Sequence, residues 1–211
     1  MNRYAFSIVL VLLLLGFIPA PADGQVGRGK FGVGLSASGN MLLSDWKTND
    51  PGYGASVDIS YSIGNDWGLL AALGFDSFSG KDPADLNVLS TAFHGRLAAS
   101  YDFLPNKILN PFLFAGAGLT YYFPRVDNGR ALLSGADRPW DLFVNGGVGV
   151  DYFLDESWSI IVTANATMLG SDNLEGYAAG SNDIIGRVSV GVRYYLFDRS
   201  TVQRIVDAVQ K

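Results

Sequence analysis

From Tyr53 to Ile63 the side chains alternate without a break. Tyr53, Ala55, Val57, Ile59, Tyr61 and Ile63 share one face, and Gly54, Ser56, Asp58, Ser60 and Ser62 share the other. A period of two belongs to an extended strand, whose successive Cβ atoms point to opposite sides of a sheet; a helix repeats every 3.6 residues. Seven further segments read the same way. Their apolar faces start with Phe31, Val33, Leu35 and Ala37, then Trp67, Leu69, Ala71, Leu73 and Phe75, then Phe93, Leu97, Ala99, Tyr101 and Phe103. Leu113, Ala115, Ala117, Leu119 and Tyr121 form the next, followed by Leu142, Val144, Val148, Val150 and Tyr152. Trp158, Ile160, Val162, Ala164 and Met168 precede the last, Val188, Val190, Val192, Tyr194 and Leu196. No apolar face holds a charge. Eight amphipathic strands in succession predict an all-β fold, an eight-stranded antiparallel up-and-down β-barrel.

The polar faces decide which side of that barrel meets water. Glycine recurs on them at Gly32, Gly34, Gly68, Gly74, Gly116, Gly118, Gly147, Gly149 and Gly191. Charges sit there in both signs, Asp58, Asp76, Asp102 and Asp151 against Lys30, Arg96, Arg187 and Arg193. A soluble barrel would carry long Lys, Glu and Thr side chains on a face turned to water. Small residues and balanced charges instead fit a narrow lumen, where space is tight and an unpaired charge is costly. The apolar faces then turn outward to lipid, and the barrel is transmembrane.

The connections agree with this orientation. Gly64-Asn65-Asp66, Asp155-Glu156-Ser157 and Pro105–Asn110 are short, whereas Gly39–Gly52, Ser79–Leu86, Pro124–Arg138 and Gly170–Asn182 are longer and polar. Short periplasmic turns alternating with longer external loops are the pattern of outer-membrane barrels. Aromatic residues gather near strand ends, Tyr61, Trp67, Tyr101, Tyr152, Trp158 and Tyr194 toward the short turns and Tyr121 and Trp140 toward the loops. Rings at those positions are expected to form the two girdles at headgroup depth.

Met1–Gln25 follows a different rule. Arg3 precedes an apolar run from Phe6 to Ile18, short of the roughly 20 residues of a spanning helix, and Ala20-Pro21-Ala22 offers a small-x-small cleavage pattern. Residues 1–22 are therefore expected to be a cleaved signal peptide, and the remainder an exported chain. A formal charge of −5 gives no basic footprint for nucleic acid. The absence of cysteine removes disulfides, thiolate metal sites and a cysteine nucleophile, and a single histidine leaves little for zinc or histidine-based catalysis.

The segments PFLFAGAGLTYYF (Pro111–Phe123), FVNGGVGVDYFLDESWSI (Phe143–Ile160) and GRVSVGVRYYLF (Gly186–Phe197) resemble the small eight-stranded outer-membrane barrels, the OmpA-like and opacity-type proteins. The resemblance runs from about Lys30 to Phe197. It implies the outer membrane of a Gram-negative-type bacterium, contact with its lipid, and delivery by periplasmic chaperones to the barrel assembly machinery. It specifies architecture better than activity, since the family includes adhesins, resistance factors, anchors and narrow channels. Such barrels commonly end on an aromatic residue that the assembly machinery reads, whereas here Asp198–Lys211 follows Phe197. Val202, Ile205, Val206 and Val209 have helical spacing, but the segment is short and reads as a periplasmic tail.

Candidate chemistry is sparse. His94 shares a polar face with Ser90, Ala92 and Arg96, and no motif supplies it with a nucleophile and an orienting group. It reads as an interior hydrogen-bonded histidine. The GAG and GVG repeats lie inside strands with no following helix, which excludes a phosphate loop. Asp45, Asp50, Asp82, Asp85, Asp127, Asp137, Asp172 and Glu175 lack EF-hand spacing and read as solvated loop charge. No catalytic residue, metal or cofactor is expected. Asp58, Asp76, Arg96, Asp102, Asp151, Arg187 and Arg193 are expected to cross the lumen in ion pairs. The chain thus divides into a signal peptide (1–22), a barrel (28–197) and a tail (198–211). The reading is a non-enzymatic outer-membrane protein whose four external loops meet an unidentified surface ligand. The lumen glycines suggest a narrow solute channel as the alternative, and an envelope-lipid-modifying enzyme is the weaker third.

Overall fold

The computed structural model describes residues 31–43, 48–64, 66–81, 87–105, 107–126, 140–155, 157–170 and 183–197. The signal segment, Lys30, the tail and every loop acid named above except Asp50 lie outside the described residues. Eight strands form one closed barrel: β1 (Phe31–Leu43), β2 (Thr48–Ser62), β3 (Trp67–Lys81), β4 (Asn87–Asp102), β5 (Leu109–Val126), β6 (Trp140–Phe153), β7 (Trp158–Leu169) and β8 (Ile184–Phe197). Sequence neighbours pair antiparallel, and β8 closes on β1 from Phe31↔Phe197 to Leu43↔Ile184. The register row that leaves β1 at Gly32 passes Ser60, Leu70, Ala98, Gly116, Asn145, Thr167 and Ile185, and returns to β1 at Leu42. That stagger tilts the strands, and a barrel of eight is just wide enough for its own side chains to fill.

The barrel is inside out. Leu73 and Leu97 are each 71% exposed while Asp76 is 1% and Arg193 4% exposed, so the apolar faces point away from the axis and the charges toward it. In β7 the split is complete: Trp158, Ile160, Val162, Ala164, Ala166 and Met168 face out, and Ser159, Ile161, Thr163, Asn165, Thr167 and Leu169 face in. Only a hydrocarbon surrounding makes this arrangement favourable.

Two expectations need correction. The strands run further toward the loop end than the alternation indicated, so the links there shrink to 44–47, 82–86 and 127–139, with 170–183 close to the expected span. Asp50 accordingly belongs to β2. The register of β2 against β3 shifts between Asp50 and Tyr53. Pro51 and Gly52 occupy this irregularity, which reverses the in–out parity and hides the strand from a pattern search. The second correction concerns the lumen, which is not lined by small and polar residues alone. Phe78, Phe112, Phe114, Tyr122, Phe143, Phe153 and Tyr195 are buried within it. Glycine is what admits them. Gly118 lies directly opposite Phe143 and Gly149 opposite Phe112, and a Cβ on either glycine would overlap the facing ring. Gly34 and Gly54 make the same allowance for the carboxylates of Asp58 and Asp76.

Candidate functional site

The lumen is layered. At the loop end Leu42, Phe78, Val88, Ala92, Tyr122, Phe143, Leu169 and Ile185 form one buried apolar cluster, contributed by β1 and β3–β8. Below it lies the first charged group. Arg187 on β8 reaches across to Asp76 on β3, donating from Nε to Oδ1 at 3.2 Å and from Nη2 to Oδ2. Asn40 Nδ2 donates to the same Asp76 Oδ1 at 2.8 Å, and Arg187 Nη1 donates to Asn165 Oδ1 at 3.4 Å. His94 Nδ1 stands 3.1 Å from Asp76 Oδ2. A second apolar cluster, Leu70, Ala98, Phe112, Phe114 and Ile161, sits nearer the short turns.

The second charged group occupies the short-turn half. Arg193 donates from Nε and Nη2 to Asp58 Oδ2 at 3.0 and 2.8 Å, and from Nη1 to Asp151 Oδ2 at 2.9 Å. Ser159 Oγ donates to Asp151 Oδ1 at 3.0 Å, and the Tyr195 hydroxyl lies 3.4 Å from Asp151 Oδ2. Phe153 packs on Tyr195 at the very end, ring centroids 5.5 Å apart.

Five of the seven charges expected to pair across the lumen therefore do so, Asp58, Asp76, Asp151, Arg187 and Arg193. The other two require correction. Asp102 takes Asn110 as its partner, accepting from Nδ2 at 2.7 Å, because it ends its strand beside the turn that Asn110 closes. Arg96 forms no ion pair among the described residues. Its guanidinium carbon stands 4.9 Å from the Phe114 ring centroid, and Nε and Nη1 have no hydrogen-bond partner. Its register partners are Ala72 and Gly118, which offer no acceptor, and the carboxylates of Asp58 and Asp76 are engaged by Arg193 and Arg187.

All eight aromatic residues singled out in the sequence face outward. At the short-turn end Trp67 and Tyr101 pack edge to face at 5.2 Å, and Trp158 and Tyr194 pack with tilted rings at 4.8 Å. Tyr61 and Tyr152 stand at the same end of β2 and β6. At the loop end Tyr121 is the register partner of Trp140 and packs against Phe123 at 4.7 Å. Phe93 adds contacts to Phe123 at 6.1 Å and to Phe75 at 6.4 Å. The loop-end group thus includes Phe75, Phe93 and Phe123, which share the outward parity of their strands and were legible from it. No group of three or more His, Asp or Glu side chains placed to hold a metal occurs among the described residues.

A closed barrel with apolar residues outside and ion pairs inside is the transmembrane barrel of an outer-membrane protein. The chain belongs to the outer membrane protein β-barrel domain family, whose model matches residues 8–196. It is an outer-membrane protein of a Gram-negative-type bacterium. No curated protein matches it. Among solved structures it is similar to Neisserial surface protein A, at 16% identity and a TM-score of 0.57, covering 79% of this chain and 97% of that one. The attachment invasion locus protein Ail of Yersinia pestis aligns at 12% identity and a TM-score of 0.53, over 80% of this chain and 99% of that one. The outer membrane enzyme PagL aligns at 15% identity and a TM-score of 0.51, over 76% and 97%. At such identities the likeness is one of fold.

Proposed function

We propose that this barrel is a closed, non-catalytic membrane anchor that presents its loop-end links to an envelope or surface ligand. The observation that carries the reading is the filled lumen: an apolar cluster caps the loop end, and two ion-paired groups and a second apolar cluster follow beneath it. The glycines that would open a channel are the positions over which those side chains lie. The one histidine is an unpromising base, since it faces a carboxylate already held by Arg187, and no hydroxyl hydrogen-bonds to it among the described residues. In this reading the outward rings of Tyr61, Trp67, Tyr101, Tyr152, Trp158 and Tyr194, and of Tyr121 and Trp140, sit at the two headgroup levels. β2 to β5 are 15 to 18 residues long, beyond the roughly 9–11 that cross a bilayer, and carry the wall past the loop-side rings. The links 127–139 and 170–183 are the longest at that rim and the first candidates for ligand contact.

Ail, one of the structural neighbours, has been crystallised with the heparin analogue sucrose octasulfate, so a barrel of this fold can take a polyanionic ligand. Two measurements test the anchor reading. Purified protein in planar bilayers should show no steady conductance, and shortening 127–139 or 170–183 should abolish binding to whole-envelope or host-surface preparations while the barrel stays folded. Large, stable, ion-selective currents from the unaltered protein would establish the channel instead. Release of fatty acid from envelope lipid by the purified barrel would establish the enzyme.

A further inference from the structure

The outer wall is uneven. On the side formed by β1 to β4 it is indented by a groove of about 570 Å³, within the roughly 300–1,000 Å³ of small-molecule sites. Ala55 and Gly95 form its floor, and Leu35, Leu73, Phe75 and Phe93 its sides. Gly95 opens it: its outward neighbours on β4, Phe93 and Leu97, are large and exposed, and a Cβ at Gly95 would first meet Leu73 Cδ2, at 3.1 Å. Above the groove the same wall changes character. Beyond Phe75 the outward positions of β3 run Ser77, Ser79 and Lys81, and beyond Phe93 those of β4 run Thr91, Leu89 and Asn87. Rings give way to hydroxyls, and the hydroxyls to an exposed lysine. No carboxylate pairs with Lys81 among the described residues. Arg125 holds the β5 position of the row through Ser79 and Leu89, and Asp50 is the acid at the β2 end of that row.

We infer that this face binds one phosphorylated glycolipid of the outer leaflet, with an acyl chain in the groove and a phosphate at Lys81. The groove is continuous with the lipid-facing wall and apolar on its sides, so it takes a hydrocarbon chain. The unpaired cation above it selects an anionic headgroup. Height selects the kind of headgroup. Lys81 lies six residues beyond Phe75, roughly 20 Å along the strand and about 15 Å higher at the usual tilt of 35–45°. A glycerol-linked phosphate sits directly above its chains, at the level of the rings, and falls short of Lys81. A sugar headgroup fills that interval and meets the hydroxyls of Ser79 and Thr91 on the way. At the loop end of β6 and β8 the rim residues include the acids Asp141 and Asp183, which disfavour an anion there. The inference stands apart from the anchor reading, because it concerns the outer wall rather than the lumen or the links.

The test is native mass spectrometry of the full chain, refolded in detergent micelles and titrated with diphosphorylated lipid A. One molecule should be retained per barrel, in preference to phosphatidylglycerol. Lys81→Gln should weaken retention about fivefold, the worth of one cation at a charged lipid surface, and should not change retention of dephosphorylated lipid A. Gly95→Leu fills the groove and should weaken retention of both forms at least about tenfold, the worth of roughly two buried methylenes. Gly186→Leu, on β8 outside the groove, where a Cβ meets nothing closer than 3.9 Å, should leave retention unchanged. Lys81→Gln alters only an exposed side chain and reads the site even if Gly95→Leu fails to fold. Retention undiminished in both Lys81→Gln and Gly95→Leu would overturn the inference. So would retention of lipid A no better than that of phosphatidylcholine. Equal retention of phosphatidylglycerol would overturn the choice of a glycolipid.

Discussion

Removing the Arg193 guanidinium is the sharpest perturbation of this lumen. Arg193 makes three charge-assisted hydrogen bonds, two to Asp58 and one to Asp151, and both carboxylates are buried, at 6% and 3% exposure. Arg193→Met keeps most of the stem volume and strands two carboxylates in a confined, weakly screened space. Breaking one buried pair costs about 3–5 kcal/mol, so the expected loss lies at or above the upper end of that range. Arg96→Met is the control. It removes a guanidinium of the same chemistry, on the same lumen face, that makes only a cation–π contact with Phe114, worth about 0.5–2 kcal/mol. The measurement is equilibrium urea unfolding in detergent micelles, and both variants should keep the wild-type m-value. Arg193→Met with Asp58→Asn and Asp151→Asn should recover most of the loss, because it leaves no orphaned charge. If Arg96→Met costs as much as Arg193→Met, the assignment of stability to paired rather than isolated lumen charges is wrong.

Other consequences follow from the same geometry. Unboiled protein should migrate apart from boiled protein in a denaturing gel, since a barrel closed by β1 and β8 has no free edge from which to unravel; identical migration would refute closure. Val190 is 56% exposed on the lipid face, so Val190→Arg should cost about 2–4 kcal/mol if it lies near the bilayer midplane. Ser189→Arg turns into the lumen and should cost less unless crowding prevails; greater damage there would show a tighter packing of that layer. Gly149→Ala should destabilise by about 1–3 kcal/mol through overlap with the Phe112 ring, and Phe112→Leu in the same chain should relieve it. Deleting 198–211 should preserve insertion, judged by heat-modifiability, because every strand is complete at Phe197.

Most of the fold was legible because lipid imposes the simplest rule in protein structure. Every outward position must be apolar, so the period of two survives along each strand and names the facing of residues as far apart as Val33 and Val192. Where lipid ends, so does the rule. The loop-side parts of β1 to β3 carry Asn40, Thr48, Asp50 and Lys81, and the irregularity at Pro51 and Gly52 breaks the parity, so those strands looked like loops. The lumen was harder to read for a different reason. Its charges were visible, but pairing is a relation between distant strands: Asp76 and Arg187 are 111 residues apart, and Arg193 and Asp58 are 135 apart. Arg96 carries the same local pattern as Arg187 and Arg193 yet faces an aromatic ring, and nothing within its own strand distinguishes it.

The glycines show how one sequence can specify both surfaces of so thin a wall. On the lipid side, Val, Leu and Ile at neighbouring positions are nearly interchangeable, so that face cannot tell the correct strand register from one displaced by two residues. The lumen can. Phe143 fits because Gly118 faces it, Phe112 because Gly149 does, and Asp58 and Asp76 because Gly34 and Gly54 do. A two-residue slip of β5 against β6 would set Phe143 opposite Gly116 or Thr120, and would set Phe112 opposite Gly147 or Asp151. Slips toward Thr120 and Asp151 bring bulk against bulk. The same shift of β2 against β1 moves Asp58 along the barrel and out of reach of Arg193. Size complementarity therefore excludes one direction of slip and the long-range ion pairs oppose the other, so register is specified from inside the barrel. Exchanging the other pair, with Gly149→Phe and Phe112→Gly together, should preserve a folded barrel far better than Gly149→Phe alone, because a Cβ at Gly149 meets only the Phe112 ring. A failure of the exchanged pair equal to that of the single change would show that these glycines are needed for the backbone itself rather than for the ring that covers them.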